Sequence, residues 1–237
     1  MTDERYFDRA YGCLMGVALG DAMGMPSSLL SAREIKEQFG YIDRLLPAPP
    51  GHYIHDGMPA GCTTDDTAQT IAVAKTITAD GGRVVPEHIG AAILQWAESI
   101  HALDEGVLAL GPSSRESLKK LRAGIPPIEA GMFGYTNGAP MRISPIGIIH
   151  PGDIEKAVHD TVLCCLPTHG TNVAISGAAA IACAIARAMD GAGELDGIIA
   201  AAQRGAELGA AHGRRVAASS VARRIRWAVD LGLAAAN

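Results

Sequence analysis

Apolar residues recur every three to four positions along most of the chain, the spacing of an amphipathic helix. Proline, glycine and capping residues divide this pattern into segments. The predicted helices cover residues 5–25, 31–39, 64–78, 87–103, 112–122, 153–165, 172–189, 194–211 and 216–233. Loops rich in Gly, Pro, Asn and Thr are predicted at 47–63, 123–138 and 167–171. Because no alternating run of strand length stands out, the pattern predicts an all-α protein.

The composition agrees with this prediction. Hydrophobic residues make up 48% of the 237 residues, but aromatic residues only 4%, and there are 28 glycines and many alanines. Alanine is the best helix former, and small residues let helix backbones approach closely. The net charge of −5, with 19% charged residues, is typical neither of a disordered chain nor of a nucleic-acid-binding protein. The arginines after residue 200 lack the interleaved aromatics of a nucleic-acid patch, so we expect a solvated or packed helix face.

No feature of the sequence predicts secretion or membrane insertion. The N-terminus has no basic region leading into an apolar one. The longest uncharged run, 161–186, is interrupted at Pro167, His169 and Asn172, and its remainder is shorter than the about 20 residues that span a bilayer. The five cysteines show no CxxC spacing, which favours free buried thiols in a reducing compartment. We therefore expect a cytoplasmic protein without a membrane partner.

The first predicted helix carries glycine at every fourth position, Gly12, Gly16, Gly20 and Gly24. Each costs roughly 1 kcal/mol of helix stability relative to alanine, so we expect a neighbouring helix or a ligand to approach this face closely. Both alternatives stay open, and of the two we predict that the four glycines are buried against neighbouring helices. Asp21 lies beside the stripe, where a hydrogen-bonding anchor is a more common role than catalysis.

The segment 62–67 offers two interpretations. Thr64 can cap the following helix, with Asp65 and Asp66 in a first turn where the helix dipole favours carboxylates. The alternative is a metal site, because carboxylate and hydroxyl oxygens are ligands for Mg²⁺ or Mn²⁺.

Three further segments suit a phosphate or a ribose. Gly111–Ser114 is a Gly-Pro turn at a predicted helix start, where backbone N–H groups favour an anion. Residues 136–145 combine a turn, small residues and Arg142. The third segment, Thr168-His169-Gly170, precedes the alanine-rich helix. Each is a weak signal when taken singly.

Taken in order, these segments carry a resemblance. The series GCLMGVALGDAMGMP, TTDDTAQ, GPSS, TNGAPMRISPIG and THGTNVAISGAAA, from about residue 11 to 186, resembles the ADP-ribosylglycohydrolase family. The resemblance implies a compact, orthogonal all-α bundle with Mg²⁺ or Mn²⁺ at the bottom of an ADP-ribose cleft. It also implies cleavage of the bond between ADP-ribose and an acceptor.

The resemblance also implies roles for particular residues. Asp65 and Asp66 would be catalytic, and Thr64, Asp65 and Asp66 would hold the metal. The predicted substrate-binding residues are Gly111, Ser113, Ser114, Asn137, Gly138, Met141 and His169. These residues should converge on one pocket, with ADP-ribose or an ADP-ribosylated acceptor as the partner.

The chain departs from the family pattern at two places. The acidic residue expected just after Pro26 is absent, since Ser27, Ser28 and Leu29 follow. The C-terminal Asp-x-Asp-Thr metal motif is also absent. We therefore expect one domain over 1–237, incomplete at its C-terminal end, with weakly held metal and little or no hydrolysis by this chain alone. An uncovered apolar face is also expected, with a possible homo-oligomer through the C-terminal helices.

Two other functions remain open. The absence of the acidic residue expected just after Pro26 fits a glycosidase for a smaller riboside. Alternatively, the chain keeps the fold without catalysis, as an ADP-ribose-binding or structural member of the family, which includes a lens crystallin.

Overall fold

The computed structural model describes residues 3–105, 107–191 and 194–236, and the elements in these ranges are helical. No β-strand occurs among them, and one isolated bridge joins Thr171 to Arg214. The α-helices are α1 (Asp3–Gly24), α2 (Ala32–Phe39), α3 (Asp65–Ala79), α4 (Pro86–Ser99), α5 (Pro112–Arg122), α6 (Pro127–Ala130), α7 (Ser144–Ile149), α8 (Ile154–Cys165), α9 (Asn172–Asp190), α10 (Leu195–Gly209) and α11 (Val221–Ala236). The all-α prediction is therefore confirmed.

Helix α9 is the centre of the fold, packing against α7, α8 and α10. It is 19 residues long and apolar enough to cross a membrane by length and composition, but 56% of its apolar window is buried inside the protein. That burial is typical of the core helix of a globular protein. The main core lies between α9 and helices α3, α4, α5, α7 and α8, and its fully buried side chains include Val73, Ile89, Ile93, Leu118, Ile143, Ile146 and Ile175.

Small residues allow the helices around α9 to approach closely. A Cβ atom on Gly205 of α10 would lie 2.4 Å from the carbonyl oxygen of Ala179 in α9. A Cβ on Gly147 of α7 would lie 2.6 Å from the carbonyl oxygen of Ala182. These two glycines are required by backbone contact, as the composition predicts for the bundle as a whole.

The glycine stripe of α1 is different, and the prediction that it is buried against other helices is wrong. Gly12, Gly16, Gly20 and Gly24 are exposed, and a Cβ atom on any of them would meet nothing within 4 Å. Helix α1 packs on α3, α7 and α9 through its other face, which includes Ala22. Beside the glycines lie four exposed apolar side chains, Phe7, Tyr11, Met15 and Leu19. These side chains give α1 an exposed apolar strip beside its glycines.

Candidate functional site

A cavity of about 920 Å³ lies where the start of α3 and the loop before it meet the C-terminal end of α4 and the loops before α5 and α7. Thr64, Asp65 and Asp66 form one part of its wall, and Gly111, Ser114, Asn137, Gly138 and Met141 form another. Residues separated by more than 70 positions in the sequence therefore share one cavity, as the resemblance implied. A volume of this size is typical of small-molecule sites, which measure about 300–1,000 Å³.

Asp21 anchors the acidic part of the site. Its Oδ2 accepts hydrogen bonds from the Thr64 amide at 2.8 Å, the Thr67 amide at 3.1 Å and the Thr67 hydroxyl at 2.6 Å. Its Oδ1 accepts one from the Thr64 hydroxyl at 2.7 Å. The interpretation of Asp21 as an anchor is confirmed: a carboxylate from α1 caps α3 across 43 residues of sequence.

This arrangement changes the role of Thr64. Thr64 occupies the N-cap position of α3, but its side chain makes no capping hydrogen bond. The third amide of the helix, that of Thr67, is satisfied by Asp21 instead. Thr64 donates its hydroxyl proton to Asp21, so its oxygen lone pairs remain available to another group.

Asp65 and Asp66 are partly buried side by side at the start of α3. Burial, followed by the Asp66 carboxylate, raises the pKa of Asp65 to about 7. Burial and the Asp21 carboxylate also raise the pKa of Asp66. Two desolvated carboxylates that disfavour each other's ionised form are relieved by a bound cation.

The oxygen atoms of these residues suit a hard cation, but they are few. The donors available are two carboxylates and the Thr64 hydroxyl, whereas about six oxygens surround such an ion, with water making up the difference. Within the described ranges, no group of three or more His, Cys, Asp or Glu residues could hold a metal ion. Asp21 lies near, but both of its oxygens are engaged by α3.

Two predicted ligand contacts lie behind the wall instead of on it, which corrects their predicted role. His169 is fully buried, and its Nε2 lies 3.0 Å from the hydroxyl of Thr136, which does line the cavity. Ser113 is buried, and its hydroxyl accepts a hydrogen bond from the Tyr135 amide at 3.4 Å. Both side chains support the wall from behind.

The wall also includes residues that the sequence did not point to. Its apolar part includes Tyr53, Met58, Trp96, Ile100, Leu108 and Leu110. His55 is on the wall too; burial and the neighbouring His52 ring lower its pKa, while the Asp21 charge opposes that shift. Arg115 donates to the backbone carbonyls of Asp104 and Val107, which ties the α4–α5 loop to the cavity. Tyr53, His55 and Met58 lie in the predicted loop 47–63, whereas Trp96 and Ile100 lie within the predicted helix 87–103 and carry no signal of a site.

Comparison with known proteins points to one family. The model of the ADP-ribosylglycohydrolase family matches residues 2–236. The chain is 41% identical over 185 residues to a protein of Escherichia coli K12, YegU, a match that covers 78% of the chain and 55% of that protein. It is 30% identical over 164 residues to ADP-ribosyl-[dinitrogen reductase] glycohydrolase of Rhodospirillum rubrum, covering 67% of the chain and 51% of that enzyme.

A further relative and a solved structure agree with this match. ADP-ribosylarginine hydrolase Tri1 of Pseudomonas putida is 25% identical over 200 residues, 81% of the chain and 50% of that enzyme. A solved chain of an ADP-ribosylglycohydrolase-related protein complex superposes with a TM-score of 0.65 at 24% identity, covering 84% of this chain and 62% of that one. The chain thus spans about half the length of the curated relatives it matches.

Proposed function

The chain belongs to the ADP-ribosylglycohydrolase family, and on that premise we propose that its cavity binds ADP-ribose and supports divalent-cation-dependent hydrolysis of the glycosidic bond to an acceptor. The observation that carries the proposal is the convergence of Asp65 and Asp66 with the turns at Gly111 and Asn137 on one cavity. Glycosidic cleavage needs carboxylates beside the sugar, and a diphosphate favours a helix start and small-residue turns.

The parts of the wall suit the parts of ADP-ribose. At the start of α5, the amides after Gly111 and the buried Ser114 hydroxyl offer donors to phosphate oxygens. The apolar wall with Trp96 and Tyr53 suits a base, because aromatic rings stack on nucleobases. The part of the cavity beside Asp65 and Asp66, its acidic corner, then receives the ribose whose anomeric carbon reacts.

Thr64, Asp65 and Asp66 are proposed to hold Mg²⁺ or Mn²⁺. When bound, the cation supplies positive charge that orients ribose hydroxyls and makes a water molecule more acidic. The ionised carboxylate of Asp65 or Asp66 accepts the proton of the attacking water. Asp21 holds both carboxylates at the rim of the cavity by fixing the first turn of α3.

A glycosidase for a smaller riboside is the second candidate. Ser28 and Leu29 line the cavity where the family pattern has an acidic side chain, so this wall is neutral. A neutral wall alters the contacts around the reacting sugar. Release of ribose from a simple riboside, with no effect of added ADP-ribose, would favour this candidate.

The proposal extends to location and assembly. A cytoplasmic location is supported by the free thiols of Cys164, Cys165 and Cys183, all buried in the core. Contact with a second copy through the C-terminal helices is supported by Trp227 and Leu231 of α11, whose side chains are exposed.

Turnover tests the enzymatic part of the proposal. With millimolar Mn²⁺, the chain is expected to release free ADP-ribose slowly from ADP-ribosylated arginine or serine peptides, because the site supplies few cation ligands. The Asp66→Asn variant should lower this rate at least about 100-fold, since it removes a carboxylate that acts as ligand and base. The Asp43→Asn variant alters an exposed surface carboxylate and should keep the wild-type rate. Release that is equally fast without any divalent cation, or in Asp66→Asn, would contradict the proposal.

A further inference from the structure

An arginine lies fully buried behind the cavity wall. Arg142 directly follows Met141, which lines the cavity, and has no solvent exposure. Its Nη1 donates to the Gln69 side-chain oxygen at 2.8 Å, and its Nη2 donates to the Thr168 hydroxyl at 2.5 Å. Among the described residues, its guanidinium forms no ion pair with a carboxylate. Its hydrogen-bond partners are neutral, although its charge opposes the rise in the pKa of Asp65. A buried cation without a hydrogen-bonded counter-charge is costly, so it needs a reason beyond packing.

Arginine is a donor only, and this property fixes the hydrogen bonds on its Gln69 side. Because the Gln69 oxygen faces Arg142, its amide NH₂ must face the other way. That NH₂ lies 3.5 Å from Oδ2 of Asp65. The Gln69 side chain therefore directs a hydrogen-bond donor toward the Asp65 carboxylate.

On the Thr168 side of Arg142, the same donor-only property fixes the orientation of the Thr168 hydroxyl. Its oxygen accepts from Arg142, and its other side-chain partner is His169 Nδ1, at 2.8 Å. Thr168 is fully buried, and a hydroxyl proton without an acceptor there costs free energy. The Thr168 proton therefore points to Nδ1, which acts as an acceptor.

His169 links the Thr168 hydroxyl to the Thr136 hydroxyl on the cavity wall. Burial and the Arg142 charge lower its pKa to about 3, so the ring is neutral at physiological pH. With Nδ1 accepting, the single ring proton is on Nε2, which donates to the Thr136 hydroxyl at 3.0 Å. The ring packs directly against Gly138, where a Cβ atom would lie 2.5 Å from its Cε1 atom, so only glycine fits this ring position.

We propose that Arg142 is a positioning residue that sets the direction of this hydrogen-bond chain, so that Thr136 presents its hydroxyl proton to an oxygen acceptor of the bound ligand. Thr136 lines the cavity and already accepts from His169, which leaves its own proton for the ligand. The wall at this point selects a group that only accepts, such as a phosphate oxygen, over a group that needs to donate. The identity of the ligand as ADP-ribose rests on the proposed function. The direction of the hydrogen bonds from Arg142 to Thr136 does not depend on it.

The His169 tautomer gives a test that needs no ligand. Long-range ¹H–¹⁵N correlation spectra of the ¹⁵N-labelled full chain at pH 7 should show His169 as the Nε2–H tautomer, with the signal assigned by its loss in His169→Gln. Arg142→Met should produce a mixture of both tautomers, because the Thr168 hydroxyl can then donate or accept. Thr168→Val should do the same if Arg142→Met does not fold, and Thr168→Ser should keep the single tautomer. A wild-type Nδ1–H tautomer, or no change in the folded variants, would overturn the proposal.

Ligand affinity tests the cavity end of the chain. Thr136→Val should weaken ADP-ribose binding by roughly 10-fold or more, the usual effect of losing a hydrogen bond to a charged group, and change adenosine binding less than about 2-fold. Thr136→Ser should bind both like the wild type. Equal loss for both ligands, or none, would overturn the donor role of Thr136. Failure of the wild type to bind ADP-ribose would reject the proposed function, while the tautomer would still decide the role of Arg142.

Discussion

Replacing Asp65 with asparagine is expected to raise the free energy of unfolding at pH 8, without divalent cations, by about 2–4 kcal/mol. Burial and the Asp66 carboxylate raise the pKa of Asp65 from 3.8 to about 7 in the folded chain. Each pKa unit corresponds to about 1.4 kcal/mol, so the ionised side chain destabilises the folded state at pH 8. Asparagine has nearly the same shape and no charge to desolvate.

The pH dependence follows from the direction of this shift. Between about pH 4 and pH 7 the folded chain keeps the Asp65 proton while the unfolded chain has lost it, so the stabilisation from this group falls as the pH rises. The wild type should therefore lose stability across this window relative to Asp65→Asn. Above about pH 7 the difference between the two proteins should stay constant.

Urea unfolding at pH 5 and pH 8 in the presence of a chelator measures this effect. Asp43→Asn is the control, because Asp43 is an exposed surface carboxylate whose ion pair with Arg44 contributes little. Added Mn²⁺ should stabilise the wild type but not Asp65→Asn, since ligand binding to the folded state raises its stability. A variant less stable than the wild type at pH 8 would show that Asp65 contributes to stability rather than costing it.

Asp21→Asn is expected to have the opposite effect, a loss of about 3 kcal/mol. The carboxylate accepts four hydrogen bonds, two from backbone amides and two from hydroxyls of Thr64 and Thr67. Hydrogen bonds to a charged group contribute about 1.5–3 kcal/mol each, though not additively. Asparagine places an NH₂ group against some of these donors, and relief of the repulsion with Asp65 and Asp66 offsets only part of the loss.

The same urea experiment measures this loss. Asp43→Asn is the control, because Asp43 and Arg44 form an exposed ion pair that contributes little. If Asp21→Asn were as stable as the wild type, the capping of α3 by α1 would not be what holds the acidic corner together. The opposite changes in the free energy of unfolding at Asp21 and Asp65 distinguish a structural anchor from a carboxylate kept for function.

Much of the fold follows from local signals in the sequence. Ser31 and the Gly81-Gly82 pair lie where the sequence predicts helix boundaries, and the structure starts α2 and ends α3 beside them. The sequence offers Thr64 as the cap of α3 because capping is normally local, whereas Asp21 acts from another helix. The predicted burial of the glycine stripe of α1 is wrong because the spacing shows that a helix face is smooth but not what lies against it.

The candidate site, like the fold, is predicted from the sequence only in part. The acidic pair and the turns at Gly111 and Asn137 could be identified as segments, through their residue types and their order. The chain through Gln69, Arg142 and Thr168 could not, because an arginine in a sequence is usually an exposed cation. Its burial depends on contacts between α3, the turn before α7 and the loop before α9, which are far apart in the sequence.

Calorimetric titration of ADP-ribose tests most directly the central claim that one cavity holds ADP-ribose beside a cation at Asp65 and Asp66. One molecule should bind per chain, and Mn²⁺ should tighten the affinity about 10-fold or more in the wild type but not in Asp66→Asn. ADP-ribose that fails to bind with or without Mn²⁺, or that binds Asp66→Asn with the full Mn²⁺ enhancement, would contradict it.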